Sequence, residues 1–89
     1  MSKVKLCKYG ASWCAPCRQL SKFIHDFDNL IDIVEYDIDD MDPIALMTLK
    51  IKSIPILTIN DENGNELWRH VGSISKNDLE NKIKEYAIN

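Results

Sequence analysis

The stretch WCAPC, residues 13–17, decides how this chain folds and which chemistry its side chains could perform. It places two cysteines, Cys14 and Cys17, between an apolar run at residues 4–9 and a long amphipathic stretch. Pro16 suits the first turn of a helix, where its missing N–H costs no hydrogen bond. A helix is therefore expected to begin at or just after Cys14, with this thiol at its N-terminus.

The composition indicates one globular domain over residues 1–89, with 45% hydrophobic and 28% charged residues. The net charge of −3 and the lack of a basic cluster argue against nucleic acid as a partner. No apolar run reaches the ~20 residues that span a bilayer, and lysines interrupt the N-terminal segment, which is too short for a signal peptide. The sequence therefore predicts a cytoplasmic protein that does not bind a membrane.

Apolar periodicity predicts the elements of the first half of the chain. Residues 4–9 and 31–39 read as strands, and the second of these alternates apolar and polar side chains. Between them, an apolar stripe predicts one helix that ends at residues 28–29; the stripe consists of Leu20, Phe23, Ile24 and Phe27. Asp42 and Pro43 start a short helix that runs to about residue 50. Three side chains of this helix are available for burial: Ile44, Met47 and Leu49.

The second half of the chain predicts a hairpin and a final helix. Strands at residues 56–60 and 66–71 are joined by a turn at Asn63-Gly64 and must be antiparallel. Ser75 and Asp78 resemble a capping box that opens the last helix. The order β-α-β-α-β-β-α, with a right-handed parallel first unit, predicts an α/β fold in which a four-stranded mixed sheet is flanked by three helices.

A metal site is the first interpretation of the two cysteines to consider, because a reducing cytosol disfavours a permanent disulfide framework. Structural zinc needs four ligands, commonly two such pairs or cysteines with nearby histidines. Here the remaining candidates are Cys7, His25 and His70, which lie on separate predicted elements. No metal site is therefore expected. Cys7 is interpreted as a buried structural thiol, and both histidines as partly exposed side chains without chemistry.

A redox pair is the second interpretation, and it has a physical mechanism. The unpaired N–H groups and the dipole at a helix N-terminus favour an anion, so a Cys14 thiolate is stabilised there. Cys17 follows one helical turn later and is expected to be more buried. An exposed nucleophile and a sheltered resolving thiol are what dithiol exchange requires. Trp13 is expected to cover the pair and offer a docking surface.

Three segments together carry a resemblance to the thioredoxin family. WCAPC resembles its active-site motif, with Ala15 where thioredoxins usually have glycine. KSIPIL, residues 52–57, is similar to the loop in which an Ile-Pro bond is cis and faces the active site. VGSIS, residues 71–75, matches the glycine that closes the docking groove. The resemblance spans nearly the whole chain and implies a minimal thioredoxin fold, close to glutaredoxins in size.

The resemblance implies a protein-disulfide reductase in which Cys14 attacks a client disulfide and Cys17 resolves the mixed disulfide. Pro16 and Pro55 would support the site. An apolar substrate groove would be formed by Trp13, Ala15, Ile54, Val71, Gly72 and Ser73. The implied partners are disulfide-containing client proteins and a thioredoxin-reductase-like or glutathione-linked electron donor. No bound cofactor is required, and a monomer is expected.

Three alternatives remain open at this stage. A glutaredoxin-like, glutathione-dependent enzyme is the nearest, although Gly72 stands alone where glutaredoxins have a Gly-Gly pair. A thioredoxin-type binding module with incidental redox activity is another, and the intact cysteine pair argues against it. The third is an iron–sulfur cluster that two chains share through Cys14.

One departure from the family pattern concerns charge beneath the active site. Thioredoxins bury an aspartate six residues before the first cysteine, near a lysine on the neighbouring strand; here those positions hold Lys8 and Glu35. Strand alternation places Lys8 on the same face as Leu6, so a buried Lys8–Glu35 pair is predicted. In the alternative, Lys8 extends to solvent and Glu35 is an ordinary exposed residue. A buried cation would stabilise a nearby thiolate and make the couple more oxidising.

Overall fold

The computed structural model describes residues 3–87, and the elements follow the predicted order. The ends of the predicted 1–89 domain, residues 1–2 and 88–89, lie outside the described residues. The strands are β1 (Lys5–Gly10), β2 (Asp32–Asp37), β3 (Ile56–Asn60) and β4 (Glu66–Val71). The helices are α1 (Ala15–Ser21), α2 (Pro43–Thr48) and α3 (Lys76–Ala87).

The strands form one mixed sheet in the order β2-β1-β3-β4. β1 pairs in parallel with β2 and antiparallel with β3, and β3 pairs antiparallel with β4. The predicted α/β architecture is therefore confirmed. Its central strand β1 runs directly towards the turn that carries both active-site cysteines, so the geometry at the end of β1 positions the site.

The main core lies between one face of the sheet and the helices α1 and α3. It contains fully buried aliphatic side chains from the sheet and from both helices, all at most 3% exposed: Leu6, Leu57, Ile59, Leu20, Leu79 and Ile83. The opposite face buries a smaller cluster of Cys7, Tyr9 and Ile56. Tyr9 also stacks on Tyr36 of β2, with ring centroids 5.1 Å apart. Most of the apolar stabilisation therefore lies on the face that supports α1.

The prediction of one continuous first helix was wrong. α1 ends at Ser21, and a separate 3₁₀ helix spans Ile24–Phe27. Backbone hydrogen bonds in this region join residues three apart. For example, the Phe23 N–H donates to the Leu20 carbonyl at 3.2 Å. Because side chains three apart eclipse in a 3₁₀ helix, both ends of that segment point into the core. The apolar stripe is thus buried as predicted, but by two short elements.

The end of the predicted second strand also differs from expectation. β2 stops at Asp37 because its Oδ1 accepts the Asp39 N–H at 2.9 Å, which starts a 3₁₀ turn over Ile38–Asp40. The Asp42 cap of α2 is confirmed, with Oδ1 accepting the Ile44 N–H at 2.7 Å. The chain between β2 and α2 is therefore shaped by two aspartates that accept nearby backbone N–H groups.

The predicted burial of the apolar side chains of α2 was wrong. Ile44 is 72%, Met47 78% and Leu49 37% exposed. α2 has only six residues, and none of them is buried. The adjoining turns cover this face of the sheet instead, with Ile38, Met41 and Ile51 packed against the smaller cluster.

The hairpin and the last cap are as predicted. Gly64 adopts φ +85°, the left-handed conformation that the Asn-Gly turn requires. Ser75 Oγ accepts the Asp78 N–H at 3.1 Å and caps α3. Among residues 3–87, none of the helices has the length and apolar character needed to cross a membrane.

The exposure of α2 predicts that Ile44→Ala changes the free energy of unfolding by no more than about 0.5 kcal/mol. Ile59→Ala is the matched control, because Ile59 is 0% exposed, and this change should cost about 2–5 kcal/mol. Urea unfolding followed by circular dichroism measures both. A loss above about 1 kcal/mol for Ile44→Ala would mean that α2 packs more closely than described.

Candidate active site

Cys14 occupies the N-cap of α1, with an extended backbone at φ −92° and ψ 113°. Its Sγ accepts the backbone N–H of Cys17 at 3.3 Å and is joined to the Cys17 sulfur in a disulfide. The two Cα atoms lie 5.2 Å apart. Pro16 stands in the first turn, as predicted. The start of α1 thus directs an N–H donor at the sulfur that would carry the negative charge of a thiolate.

The two cysteines differ in burial, although less than expected. Cys17 is 1% exposed and Cys14 is 7% exposed, so Cys14 is the more accessible of two buried residues. The expectation of an exposed Cys14 was wrong in degree, because Ala11 and Ile54 pack against the pair. Access to Cys14 is therefore limited to the surface that these neighbours leave open.

The predicted groove residues come from the start of α1, from the Ile54–Pro55 loop and from the end of β4 with the turn that follows it. Trp13 is 64% exposed, and its indole Nε1 donates to Asp39 Oδ2 at 2.9 Å, which holds the ring in place. The Ile54–Pro55 bond is cis, as expected, and the Pro55 carbonyl accepts the Gly72 N–H at 2.8 Å. That bond joins the Ile54–Pro55 loop to the turn after β4. Three other groove candidates are exposed around these loops: Ala15, Val71 and Ser73.

Gly10, at the end of β1, is a site residue that sequence reasoning missed. A Cβ there would lie 3.1 Å from Cys17 Sγ and 3.5 Å from Lys8 Cε. The first distance is tighter than ordinary packing, so a glycine lets β1 run directly beneath the resolving sulfur. Its strand position after Lys8 was the only available signal, and it does not reveal close approach.

An open cavity of about 330 Å³ lies beneath Cys17, and charged and polar side chains line it. Its lining includes Lys8, Cys17, Arg18, Ser21, Glu35 and Asp37. It brings the resolving cysteine and the predicted ion pair to one space that solvent reaches. A proton leaving Cys17 therefore has a polar route outward.

The predicted ion pair between Lys8 and Glu35 is present in the structure. The two residues are register partners across β1 and β2, and Lys8 Nζ lies 3.1 Å from Glu35 Oε1. Lys8 is only 7% exposed, so the alternative in which it extends to solvent was wrong. The ammonium also donates to the Ser21 hydroxyl at the end of α1. Two acceptors from two elements thus satisfy a buried cation.

His25 extends this pair to the surface, which sequence reasoning missed. Its Nε2 lies 3.2 Å from Glu35 Oε2, and its Nδ1 lies 3.0 Å from Asp28 Oδ1. Burial alone would raise the pKa of Glu35, but hydrogen bonds from His25 and Lys8 and the Lys8 charge hold that pKa below its usual value. His25 is partly exposed, as predicted, with 51% of its side chain accessible, but its contact with Glu35 was not anticipated.

The remaining candidates are structural. Cys7 is free, 3% exposed, and burial raises the pKa of its thiol, so it is the inert thiol that was predicted. His70 Nε2 lies 2.8 Å from the Ser73 carbonyl, outside the cysteine cluster. Across residues 3–87, no group of three or more His, Cys, Asp or Glu side chains could hold a metal ion.

The fold and the site define a class: a minimal α/β domain with a disulfide at the start of a helix and a cis-proline loop beside it. The thioredoxin family model matches residues 1–85. The chain belongs to the thioredoxin family.

Relatives and solved structures agree with this assignment. Thioredoxin H2 of Arabidopsis thaliana is 30% identical over 87 residues, which are 94% of this chain and 63% of that protein. The thioredoxin of Staphylococcus haemolyticus is 30% identical over 82 residues, covering 88% and 77% of the two chains. A mutant thioredoxin from Halobacterium salinarum superposes with a TM-score of 0.88 at 20% identity, covering 99% of this chain and 78% of that one. This family and fold support thiol–disulfide oxidoreductase activity.

The lowered pKa of Glu35 predicts how Glu35→Gln depends on pH. A carboxyl with a depressed pKa stabilises the fold above its ordinary value of 4.5, and this contribution is lost as the pH falls through the folded pKa. At pH 7 the variant should lose on the order of 1–3 kcal/mol, less than a fully buried pair, because solvent reaches Glu35. Urea unfolding at a series of pH values measures the difference. A difference that stays constant from pH 7 to pH 3 contradicts the assignment.

Proposed function

We propose that this protein reduces disulfides in client proteins by dithiol exchange through Cys14 and Cys17. The observation that carries the proposal is the arrangement of the pair: Cys14 Sγ accepts the Cys17 N–H at the start of α1, above a resolving sulfur that is 1% exposed. This arrangement favours a thiolate on the outer cysteine and shields the inner one from premature reaction.

The exchange balances in two steps. The Cys14 thiolate attacks one sulfur of the client disulfide, a mixed disulfide forms, and the other client sulfur leaves as a thiolate that takes up a proton. The Cys17 thiol then loses its proton, and the resulting thiolate attacks Cys14 Sγ. The second client sulfur leaves and is protonated. The client gains two electrons and two protons, and Cys14–Cys17 becomes the disulfide.

Client binding is assigned to the surface around Cys14. The exposed Trp13 ring and the joined loops carrying Ile54 and Gly72 offer apolar area and backbone groups to an extended segment. The remaining residues of this groove and its walls are Ala15, Val71, Ser73, Pro16 and Pro55. A client protein therefore docks with its disulfide next to Cys14, and no bound cofactor is needed.

The electron donor that returns Cys14–Cys17 to the dithiol is proposed to be a thioredoxin-reductase-like enzyme. Membership of the thioredoxin family supports this choice over a glutathione-linked donor. We also propose a cytoplasmic location and a monomeric state. In a reducing compartment, the pair would cycle instead of remaining oxidised.

Lys8 and Glu35 are proposed to support the resolving step. The buried ammonium lies in the same cavity as Cys17 and close to Gly10, where β1 passes beneath the sulfur. A cation there favours the Cys17 thiolate over the thiol and so stabilises the reduced form. The Cys14–Cys17 couple becomes more oxidising than it would be above a neutral side chain.

Cysteine variants test the proposed reaction. Cys14→Ser should abolish reduction of insulin disulfides by the dithiol. Cys17→Ser should accumulate a client–Cys14 mixed disulfide, because the resolving sulfur is gone. Non-reducing electrophoresis and mass spectrometry measure the adduct. Cys7→Ala is the matched control and should retain activity. Cys7 is buried on the face of β1 opposite to the one that carries Lys8 and Gly10.

Two results would contradict this reaction. One is a Cys14→Ser protein that still reduces insulin. The other is turnover that requires glutathione even when a flavin-dependent thioredoxin reductase is present, which would favour the glutaredoxin-like alternative.

The role of Lys8 is tested by the reduction potential. Lys8→Met removes the charge but keeps an apolar stem, so the couple should become more reducing by roughly 30 mV, equivalent to about 1.4 kcal/mol for two electrons. Lys5→Met is the matched control, because Lys5 is exposed on the opposite face of β1. Equilibration with dithiothreitol buffers and thiol labelling measures both. Equal shifts in the two variants would sink the specific role of Lys8.

A further inference from the structure

The two carboxylate oxygens of Glu35 bind different partners. Oε1 accepts from Lys8 Nζ at 3.1 Å and from the Ser21 hydroxyl at 3.3 Å. Oε2 lies 3.2 Å from His25 Nε2. Glu35 therefore connects a buried cation with an imidazole that is half exposed. A positive charge on His25 therefore interacts with the Glu35 carboxylate, which also compensates the charge of Lys8.

His25 lies between two carboxylates. Its Nδ1 is 3.0 Å from Asp28 Oδ1, on the side opposite to its contact with Glu35. A neutral imidazole has one N–H and donates to only one of them, whereas an imidazolium donates to both. Hydrogen bonds with Asp28 and then Glu35 raise the pKa of His25 above 6.5. Imidazole is also the side chain whose ordinary ionisation lies closest to neutral pH.

We propose that His25 is a positioning residue that, through Glu35, sets how much of the positive charge of Lys8 acts on the Cys17 thiolate. The inference rests on the dithiol exchange proposed above. With His25 protonated, two cations share the charge of Glu35, and Lys8 remains partly uncompensated. With His25 neutral, Glu35 compensates Lys8 alone. The resolving step is therefore faster when His25 carries its proton than it would be without it.

The distances within the cavity make this coupling direct. Lys8 Cε and Cys17 Sγ lie 3.5 Å and 3.1 Å from one point, the position that a Cβ on Gly10 would occupy. Charge on Lys8 therefore acts on the sulfur over a short path in a partly buried site, where it is weakly screened.

The other charged or titratable groups around this site come from four neighbouring elements. On α1, Arg18 lines the cavity, but its guanidinium donates to the Ser12 carbonyl at 3.0 Å. On β2, Tyr36 and Asp37 also line the cavity. Beside His25, Asp26 is paired with Lys76 of α3 at 2.6 Å.

His25 is the imidazole that reaches the buried pair. Glu35 receives its hydrogen bonds from Lys8, Ser21 and His25, which lie on three different segments of the chain. Of these three partners, only His25 has an ordinary ionisation near neutral pH. His25 is therefore the partner of Glu35 whose charge can change near pH 7.

The resolving step can be isolated with a chromogenic disulfide, 5,5′-dithiobis(2-nitrobenzoate). The reduced protein attacks it through Cys14, which releases one thionitrobenzoate and leaves the other bound as a mixed disulfide. Cys17 then attacks Cys14 Sγ, which forms the protein disulfide and releases the second thionitrobenzoate. The rate of this second release is independent of reagent concentration and below the thiol pKa follows the thiolate fraction of Cys17.

The test compares the second release in wild type and His25→Gln by stopped flow from pH 6 to pH 9. His25→Gln keeps a hydrogen-bonding side chain but carries no charge. The variant should be about 2- to 5-fold slower at pH 6, as expected for a partly exposed charge acting through one neighbour, and equal to wild type at pH 9. In Asp28→Asn, the rate enhancement due to protonated His25 should disappear at a lower pH than in wild type. This variant removes the charge of one of the acceptors that favour the imidazolium.

Lys76→Gln is the matched control. It removes a positive charge from the exposed ion pair with Asp26, next to His25 in sequence, without touching Glu35. It should match wild type at every pH. A His25→Gln to wild-type ratio that is the same at pH 6 and pH 9 would overturn the inference. Absence of the second release from wild type itself would instead overturn the proposed dithiol exchange, and the inference with it.

Discussion

The structure of the site depends on the burial of one ammonium group. Lys8 lies in the central strand and is 7% exposed, and an unpaired cation there would cost several kcal/mol. Its acceptors come from two different elements, Glu35 on β2 and Ser21 at the end of α1. Satisfying Lys8 therefore ties the parallel register of β1 and β2 to the position of the helix that carries both cysteines.

From Lys8, β1 continues to the underside of the active site. Two residues after Lys8, Gly10 leaves room for Cys17 Sγ, which would lie only 3.1 Å from a Cβ at this position. Cys17 is thus held between a strand backbone and the first turn of α1, while Cys14, at the N-cap, is the more accessible of the two. The result is a resolving thiol above a paired cation, at a place where the family resemblance implies a buried acid.

The sequence was sufficient for the element order, which follows from periodicity. It was also sufficient for the buried pair, but there strand alternation predicts only the burial of Lys8, and the resemblance to the thioredoxin family supplies Glu35 as its partner. Lys8 shares its strand face with Leu6, so its burial could be predicted, and Glu35 lies at the matching place on the next strand. The contact between His25 and Glu35 could not be predicted, since it requires a 3₁₀ helix at Ile24–Phe27. An apolar pair three residues apart fits an α-helix equally well.

The exposed side chains of α2 show a second limit of pattern analysis. Ile44 and Met47 have helical spacing and apolar character, yet the sheet face below is covered by the turns on either side. Periodicity identifies a side of a helix that could be buried, but not whether another element reaches it.

The most direct test of the account is the reduction potential of the wild-type Cys14–Cys17 couple, measured by equilibration with dithiothreitol and glutathione buffers and read by thiol labelling. A buried cation beneath Cys17 stabilises the reduced form, so the account predicts a value roughly 30 mV above the ~ −270 mV typical of thioredoxin. A value at or below ~ −270 mV would contradict the account, since the Lys8–Glu35 pair would then have no energetic effect on the cysteines.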